Sequence, residues 1–296
     1  MAVIGVIGLG NMGLPMARNL LRAGHRLRAY DVVPASLEAA VTAGARAAGS
    51  AAEAVAHAEL VITMLPEGSH VRAVYLGPDG IIAASEPQAL LIDCSTIDVP
   101  TARAVNQAAA ERGVEVVDAP VSGGVAGAEN ATLTFMVGGS EAGFARAEPF
   151  LQQMGKAVIH TGPSGNGQAA KICNNMLLGI SMIGVAEAFV LAGRLGLGAD
   201  KLFEVSSRSS GQCWSLTNYC PVPGLVPSSP ANRDYRAGFT AAMMAKDLRL
   251  AQDAAQSVDA PTPLGAEARQ LYALFVNGGR GGLDFSAIIK MIAGDL

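Results

Sequence analysis

Lys171, Asn174 and Asn175 stand within Gly167-Gln168-Ala169-Ala170-Lys171-Ile172-Cys173-Asn174-Asn175 at helical spacing. On a helix they share one face. Gly167 lies one turn earlier on that face and leaves room for a ligand or a strand. A lysine and two amides at the start of an apolar stretch are unfavourable unless they are solvated or used. The residues leave two readings open. One is an amine that exchanges protons, whose neutral form burial favours. The other is a lysine that snorkels at the helix entrance. Lys246-Asp247 interrupts Ala241-Ala242-Met243-Met244-Ala245 in the same manner, and a solvated helix face competes there with a functional pair.

Gly8-Leu9-Gly10-Asn11-Met12-Gly13 carries a second chemistry. It follows the apolar run Ala2 to Ile7, which reads as a buried parallel strand, and opens a helical stretch from Pro15 to Arg22. A second apolar run then ends in Asp31. Strand, glycine turn, helix, strand and acid in this order form a dinucleotide site. Gly8 permits the tight turn, Gly10 lets backbone amides approach a pyrophosphate, and Gly13 lets the helix pack close to the strand. The helix N-terminus adds partial positive charge. Asp31 can accept hydrogen bonds from a ribose 2′-hydroxyl and would repel a 2′-phosphate. Val32-Val33-Pro34 offers no cation to hold such a phosphate. The expected cofactor is NAD rather than NADP.

Three further segments follow predicted strands and should lie at the carboxyl edge of the same sheet, where such sheets bind ligands. Leu65-Pro66 and Ser95-Thr96 can line the nicotinamide ribose, Thr96 with its hydroxyl and backbone. Ser122-Gly123-Gly124 can form a concave nest of N–H groups for a substrate carboxylate. The alternatives are ordinary strand-to-helix turns and a Gly-Gly turn that needs positive φ. Trp214, the only tryptophan, and Tyr219 lie in a long loop that can fold over a small site; a purely structural aromatic is equally common.

The elements behind these residues alternate in the first half. Leu60 to Met64, Ala89 to Asp93, Val114 to Ala119, Thr132 to Val137 and Ala157 to His160 read as strands. Val99 to Arg112 and Glu141 to Met154 read as helices. Such alternation implies a mostly parallel sheet with helices on both faces. The strand pattern stops at the glycine cluster Gly162 to Gly167. Beyond it, Lys171 to Arg194, Ala199 to Ser206, Ala241 to Ser257 and Pro263 to Asn277 read as helices, with a Pro-, Ser- and Gly-rich loop over Ser209 to Gly238.

A chain of 296 residues is long enough for about two domains. Its net charge of −4 and lack of Lys/Arg runs argue against nucleic acid. Half the residues are hydrophobic, so apolar surface is expected between domains or subunits. Met176 to Gly193 is long and apolar enough to imitate a membrane span. Glu187 interrupts it, and a helix apolar all round also occurs at the centre of a soluble protein, which is the expectation here. The chain opens on a strand with no charged leader, and Cys94, Cys173, Cys213 and Cys220 form no CxxC pair. Reduced thiols and a cytoplasmic location are expected. The four histidines show no metal-ligand spacing, and no metal is expected.

Together these motifs resemble the β-hydroxyacid dehydrogenase family. The resemblance rests on Ile7 to Ala17, Asp118 to Gly124, Gly167 to Asn175 and Met244-Ala245-Lys246-Asp247-Leu248, and it spans essentially the whole chain. It implies an NAD-binding Rossmann-type α/β domain over residues 1–164, followed by an all-α C-terminal domain over 165–296 for substrate binding and dimerisation. It implies Lys171 as catalytic acid/base with Asn175 beside it. Ser122, Gly123, Gly124, Trp214, Tyr219, Lys246 and Asp247 match substrate positions. Gly8, Leu9, Gly10, Asn11, Met12, Gly13, Asp31, Leu65, Pro66, Thr96 and Lys246 match cofactor positions. Trp214 and Tyr219 resemble the hydroxyisobutyrate branch, which implies oxidation of 3-hydroxyisobutyrate to methylmalonate semialdehyde. The family commonly carries Asn where this chain has Cys220. L-serine, 3-hydroxypropionate and glycerate (with tartronate semialdehyde) are alternative small β-hydroxy acids under one mechanism. A non-catalytic NAD-binding sensor is the alternative of another class. A sugar-phosphate substrate would need an Arg/Lys cluster that the chain lacks. The resemblance also implies a homodimer or homotetramer.

Overall fold

The computed structural model describes residues 1–295. The chain divides into two compact units, one over Met1–Lys171 and one from Ile172 onward.

The first unit is built on nine strands: β1 (Val3–Ile7), β2 (Arg26–Tyr30), β3 (Arg46–Ala47), β4 (Leu60–Thr63), β5 (Leu90–Asp93), β6 (Glu115–Asp118), β7 (Val121–Ser122), β8 (Leu133–Gly138) and β9 (Gly155–Gly162). They form one sheet in the order β3-β2-β1-β4-β5-β6-β8-β7, with β9 paired to β8. Strands β1 to β6 are parallel to one another. β8 runs antiparallel to β6 and β7 and parallel to β9. The order reverses at β1, between β2 and β4, which places the switch point of the sheet at the carboxyl end of β1.

The continuous apolar runs are explained by burial on both faces. Leu60 and Ile62 enter one core with Leu90, Ile92 and Val117. Their neighbours Val61, Leu91 and Val116 enter the other. Each such side chain contributes about 1.5–3 kcal/mol when fully buried. β3 and β7 are too short for a two-residue periodicity to show, and neither is foreseen from sequence.

The helix expected from Lys171 begins at Asn166 and runs to Arg194. It starts inside the glycine cluster, because Gly167 serves close packing there rather than a flexible link: a Cβ on it would lie 2.6 Å from the Asp118 carbonyl oxygen. The helix continues from the first unit into the second.

The second unit is helical, with Ala199–Ser206, Trp214–Thr217, Ala241–Ser257, Pro263–Phe275 and Ile288–Ala293. Its main core joins Met182, Ile183 and Ala186 to Met244, Leu248, Tyr272, Phe275 and Phe285. The loop over 209–238 is interrupted by the helix Trp214–Thr217 and a 3₁₀ turn at Pro230–Arg233. The long helix passes the length and composition test for a membrane span. Contrary to the expectation of a central helix, it is not buried all round. Met182, Val185, Ala186 and Phe189 are buried, whereas Leu177 and Leu191 are 66% and 59% exposed.

Candidate active site

The glycine turn leaves β1 at Gly8, whose φ of +89° lies in the left-handed region. A Cβ on Gly8 would strike the Met64 carbonyl oxygen, and one on Gly13 the Gly8 carbonyl oxygen. A Cβ on Gly10 would meet nothing within 4 Å. Two glycines are thus required by the protein's own backbone. The third keeps a space open where the turn meets the helix Gly13–Arg22, which has no side-chain cap. Asp31, at the end of β2, aims its carboxylate at this turn. Its Oδ2 accepts from the Leu9 amide at 2.6 Å and its Oδ1 from the Val33 amide at 2.7 Å. The open cradle and the oriented acid fit a dinucleotide whose ribose carries a free 2′-hydroxyl.

The loops after β4 and β5 are held by a buried polar network. Asp93 Oδ1 accepts from Thr63 Oγ1 at 2.7 Å, Ser95 Oγ at 2.6 Å and the Ser95 amide at 3.1 Å. Because the Thr63 hydroxyl proton goes to Asp93, the Tyr75 hydroxyl donates to Thr63 Oγ1 (2.9 Å). The Leu65 amide donates to Ser95 Oγ at 2.8 Å. Burial raises the Asp93 carboxyl above its ordinary range against the pull of these donors, and burial with Asp93 lifts the Tyr75 hydroxyl. The network binds Leu65-Pro66 and Ser95-Thr96 to one sheet edge.

Asp118 closes β6 and accepts from the Gly165 amide at 2.7 Å and the Gln168 amide at 2.9 Å. It thereby caps the start of the helix Asn166–Arg194 from another element. Burial outweighs these two donors and moves the carboxyl from 3.8 to about 7. Gln168 is fully buried; its Oε1 accepts from the Ile97 amide at 3.0 Å and its Nε2 donates to the Ser95 carbonyl at 2.8 Å. Lys171, one turn further on, is only 6% exposed. Ser122 pairs with Thr134 in the β7–β8 ladder. Gly123 and Gly124 follow with φ of +135° and +62°, conformations that glycine adopts without strain.

In the second unit Asn175 Nδ2 donates to Asp247 Oδ2 at 2.5 Å, and Asn174 Nδ2 donates to Asn175 Oδ1 at 3.0 Å. Asp247 Oδ1 is buried without a hydrogen bond and faces Lys246 Nζ at 3.5 Å. The carboxamide, carboxylate and ammonium therefore form one group. Trp214 and Tyr219 form another, with stacked rings 5.0 Å apart. Tyr219 also stacks on Phe285 at 5.3 Å, and its hydroxyl donates to Asp284 Oδ2 at 2.9 Å. Burial and the Asp284 charge push that hydroxyl well above its ordinary value. Asp284 also accepts from the Gly238, Phe239 and Ser286 amides and from Ser286 Oγ. Cys220 points into an apolar cluster with Val185, Phe189, Leu216 and Val226, and burial lifts its thiol to about 11. Among the described residues, no three His, Cys, Asp or Glu side chains are grouped to hold a metal ion.

Sequence reasoning missed Gln168, Asp93 and Asp284; beside the local Ser95 and Ser286 contacts of the two aspartates, each is tied to partners far away in the chain. A glutamine at the mouth of an apolar helix was the one available signal.

A doubly wound sheet with a glycine turn and a ribose-directed acid, followed by a helical unit, defines a nicotinamide-dinucleotide oxidoreductase. Residues 3–162 match the family model for the NAD binding domain of 6-phosphogluconate dehydrogenase, and residues 165–292 that for NAD-binding of NADP-dependent 3-hydroxyisobutyrate dehydrogenase. The chain is 51% identical over 296 residues to 3-hydroxyisobutyrate dehydrogenase of Pseudomonas aeruginosa, covering 99% of each. It belongs to the 3-hydroxyisobutyrate dehydrogenase family, within the β-hydroxyacid dehydrogenases, and is an NAD-dependent oxidoreductase. It is 49% identical over 291 residues, 98% of each chain, to NAD-dependent L-serine dehydrogenase of the same species. A solved structure of Mycobacterium tuberculosis 3-hydroxyisobutyrate dehydrogenase with L-serine is 50% identical, has a TM-score of 0.95 and covers 99% of both chains.

Proposed function

We propose that this chain oxidises 3-hydroxyisobutyrate to methylmalonate semialdehyde, with Lys171 as general acid/base. The observation that carries the reading is the Lys171 amine itself. Lys171 as a residue is 6% exposed and sits one turn into a helix whose first residues are bonded to the carboxyl ends of β5 and β6. NAD, when bound, supplies the acceptor for the hydride that leaves the hydroxyl-bearing carbon. Lys171 Nζ, as a neutral amine, takes the hydroxyl proton as the carbonyl forms, then releases it to solvent. In the reverse direction its ammonium protonates the aldehyde oxygen. Asn175 orients the reacting hydroxyl or the amine. Ser122, Gly123 and Gly124 receive the substrate carboxylate, with Trp214, Tyr219, Lys246 and Asp247 as further substrate residues. Gly8 to Gly13, Asp31, Leu65, Pro66, Thr96 and Lys246 serve the cofactor. In this reading residues 1–164 are the dinucleotide domain and 165–296 the substrate and dimerisation domain.

The test is Lys171→Ala. A fall in kcat of about 10²–10⁴-fold is the usual loss of a general acid–base, with NAD binding retained; kcat near that of the parent enzyme overturns the assignment.

L-serine is the second reading. It is favoured by the L-serine dehydrogenase relative and by L-serine in the solved relative. A methyl or amine difference is worth about 1–3 kcal/mol in such pockets, so initial rates across 3-hydroxyisobutyrate, L-serine, 3-hydroxypropionate and glycerate decide between them.

The same reading holds the protein to be a cytoplasmic homodimer or homotetramer. Free thiols at Cys94, Cys173, Cys213 and Cys220 support the compartment. Leu177, Leu191, Leu264 and Leu274, all at least 59% exposed on the second unit, support self-association. Sedimentation velocity tests the oligomer; a monomer at micromolar concentration overturns it.

A further inference from the structure

Gln168 is a polar side chain with no exposed surface. Its carboxamide spans the peptide on either side of Thr96. Oε1 takes the Ile97 amide proton at 3.0 Å and Nε2 gives to the Ser95 carbonyl at 2.8 Å. Thr96 is the residue between those two backbone groups. The Ser95 end of the segment is itself fixed by Asp93, through the Ser95 hydroxyl at 2.6 Å and its amide at 3.1 Å. At its other end Gln168 belongs to the first turn of the helix Asn166–Arg194, and its amide is capped by Asp118 at 2.9 Å. Lys171 follows three positions later, on the next turn.

We infer that Gln168 is a positioning residue: its carboxamide locks the helix turn that carries Lys171 to the Thr96 loop, and so sets the amine relative to the nicotinamide side of the cofactor site. The inference rests on Lys171 as the general acid/base. The physical grounds are reach and satisfaction. A helix start capped only by Asp118 can still pivot about that carboxylate, because both capping bonds end on one side chain. Two hydrogen bonds to a second strand end, some seventy residues away in sequence, remove that freedom. A buried amide with both ends paired has one low-energy orientation, since reversing it sets donor against donor. The lysine thereby inherits its placement from β5 as well as from β6. No apolar residue of similar size does this, because the Ile97 N–H and the Ser95 C=O would be left buried and unpaired.

The test uses the full-length enzyme with Gln168→Met, which keeps volume and removes both bonds. Displacement of a catalytic group by about 1 Å lowers turnover on the order of 10²-fold. The expected result is a fall in kcat of that order with KM for the hydroxy acid little changed. The primary deuterium isotope effect on kcat, with substrate deuterated at the hydroxyl-bearing carbon, should rise as the chemical step becomes limiting. Loss of folded protein alone lowers kcat without raising the isotope effect. A folded Gln168→Met enzyme with parental kcat and isotope effect overturns the inference. Gln168→Glu keeps the acceptor for Ile97 and loses the donor to Ser95; it is the second variant if the first does not fold, with the same expectations. Failure of both variants to fold assigns the amide to folding and overturns the inference too. Lys171→Ala in the same assay separates the two claims. If it stays active, the acid–base reading fails. If it is inactive while Gln168→Met turns over normally, only the positioning claim fails.

Discussion

The Asn175 carboxamide donates to Asp247 Oδ2 at 2.5 Å, across 72 positions of sequence. The bond fixes which end of the amide points where. With Nδ2 committed to Asp247 and Oδ1 accepting from Asn174, the amide cannot flip without breaking both contacts. A hydrogen bond to a charged group is worth about 1.5–3 kcal/mol. Asp247→Asn is therefore expected to lower kcat/KM by roughly one to two orders of magnitude, at about 1.4 kcal/mol per tenfold. Asp247→Leu should be worse, because it also leaves Lys246 facing an apolar group. Steady-state rates on both variants check this. Parental kcat/KM in Asp247→Asn would show that Asn175 needs no anchor.

Gly10 and Gly13 separate binding from folding. A Cβ on Gly10 meets no protein atom within 4 Å, whereas one on Gly13 strikes the Gly8 carbonyl oxygen. Gly10→Ala should melt near the parent temperature and bind NAD at least tenfold more weakly, a loss of about 1.4 kcal/mol. Gly13→Ala should lose both stability and binding. Thermal melts and NAD titrations read the two effects apart. Undiminished NAD affinity in Gly10→Ala would mean that the open space is not the pyrophosphate cradle.

Tyr219 presents a ring, with its hydroxyl turned to a buried carboxylate. Its ring lies between Trp214 and Phe285. Tyr219→Phe keeps the stack and deletes one of several donors to Asp284. Its expected effect is a stability loss of about 1–3 kcal/mol with KM for the hydroxy acid nearly unchanged. Tyr219→Ala should raise KM by removing the stacked face. A rise in KM for Tyr219→Phe as large as that for Tyr219→Ala would assign the hydroxyl to the substrate instead.

The parts of this architecture that are legible in the sequence are those with short-range signatures. Apolar runs buried on both faces give β1, β4, β5 and β6, β2 follows from the alternation that buries Leu27 and Ala29, and Gly8, Gly13 and Asp31 follow from backbone geometry next to them. Lys171, Asn174 and Asn175 show as a polar face on an apolar helix. The rest is hidden because its logic is long-range. Asp118 caps a helix 47 and 50 positions away, so its capping role has no local pattern. Gln168 reads as one more helix former until β5 is placed beside it. Gly167 sits in a glycine cluster that reads as a boundary between domains, but close approach of Met136 and Asp118 demands it. The helix Trp214–Thr217 is too short for periodicity to reveal.

Asp118 makes stability depend on pH in a direction set by its environment. Burial raises its carboxyl from 3.8 to about 7, although two backbone amides donate to it. Between those values the unfolded chain has released the proton and the folded chain still holds it. The contribution is thus fully present below about pH 4 and is lost as pH rises through about 7. Each tenfold difference in proton affinity between the two states is worth about 1.4 kcal/mol, so the change is on the order of a few kcal/mol. Asp118→Asn removes this titration and places an NH₂ against a backbone N–H, so the variant is less stable throughout. The parent's lead over it should shrink as pH is raised from 5 to 8, because groups common to both chains cancel in the difference. Urea unfolding of both proteins at several pH values measures that gap. A gap that stays constant, or widens toward pH 8, would show that the capping amides hold Asp118 ionised across the range.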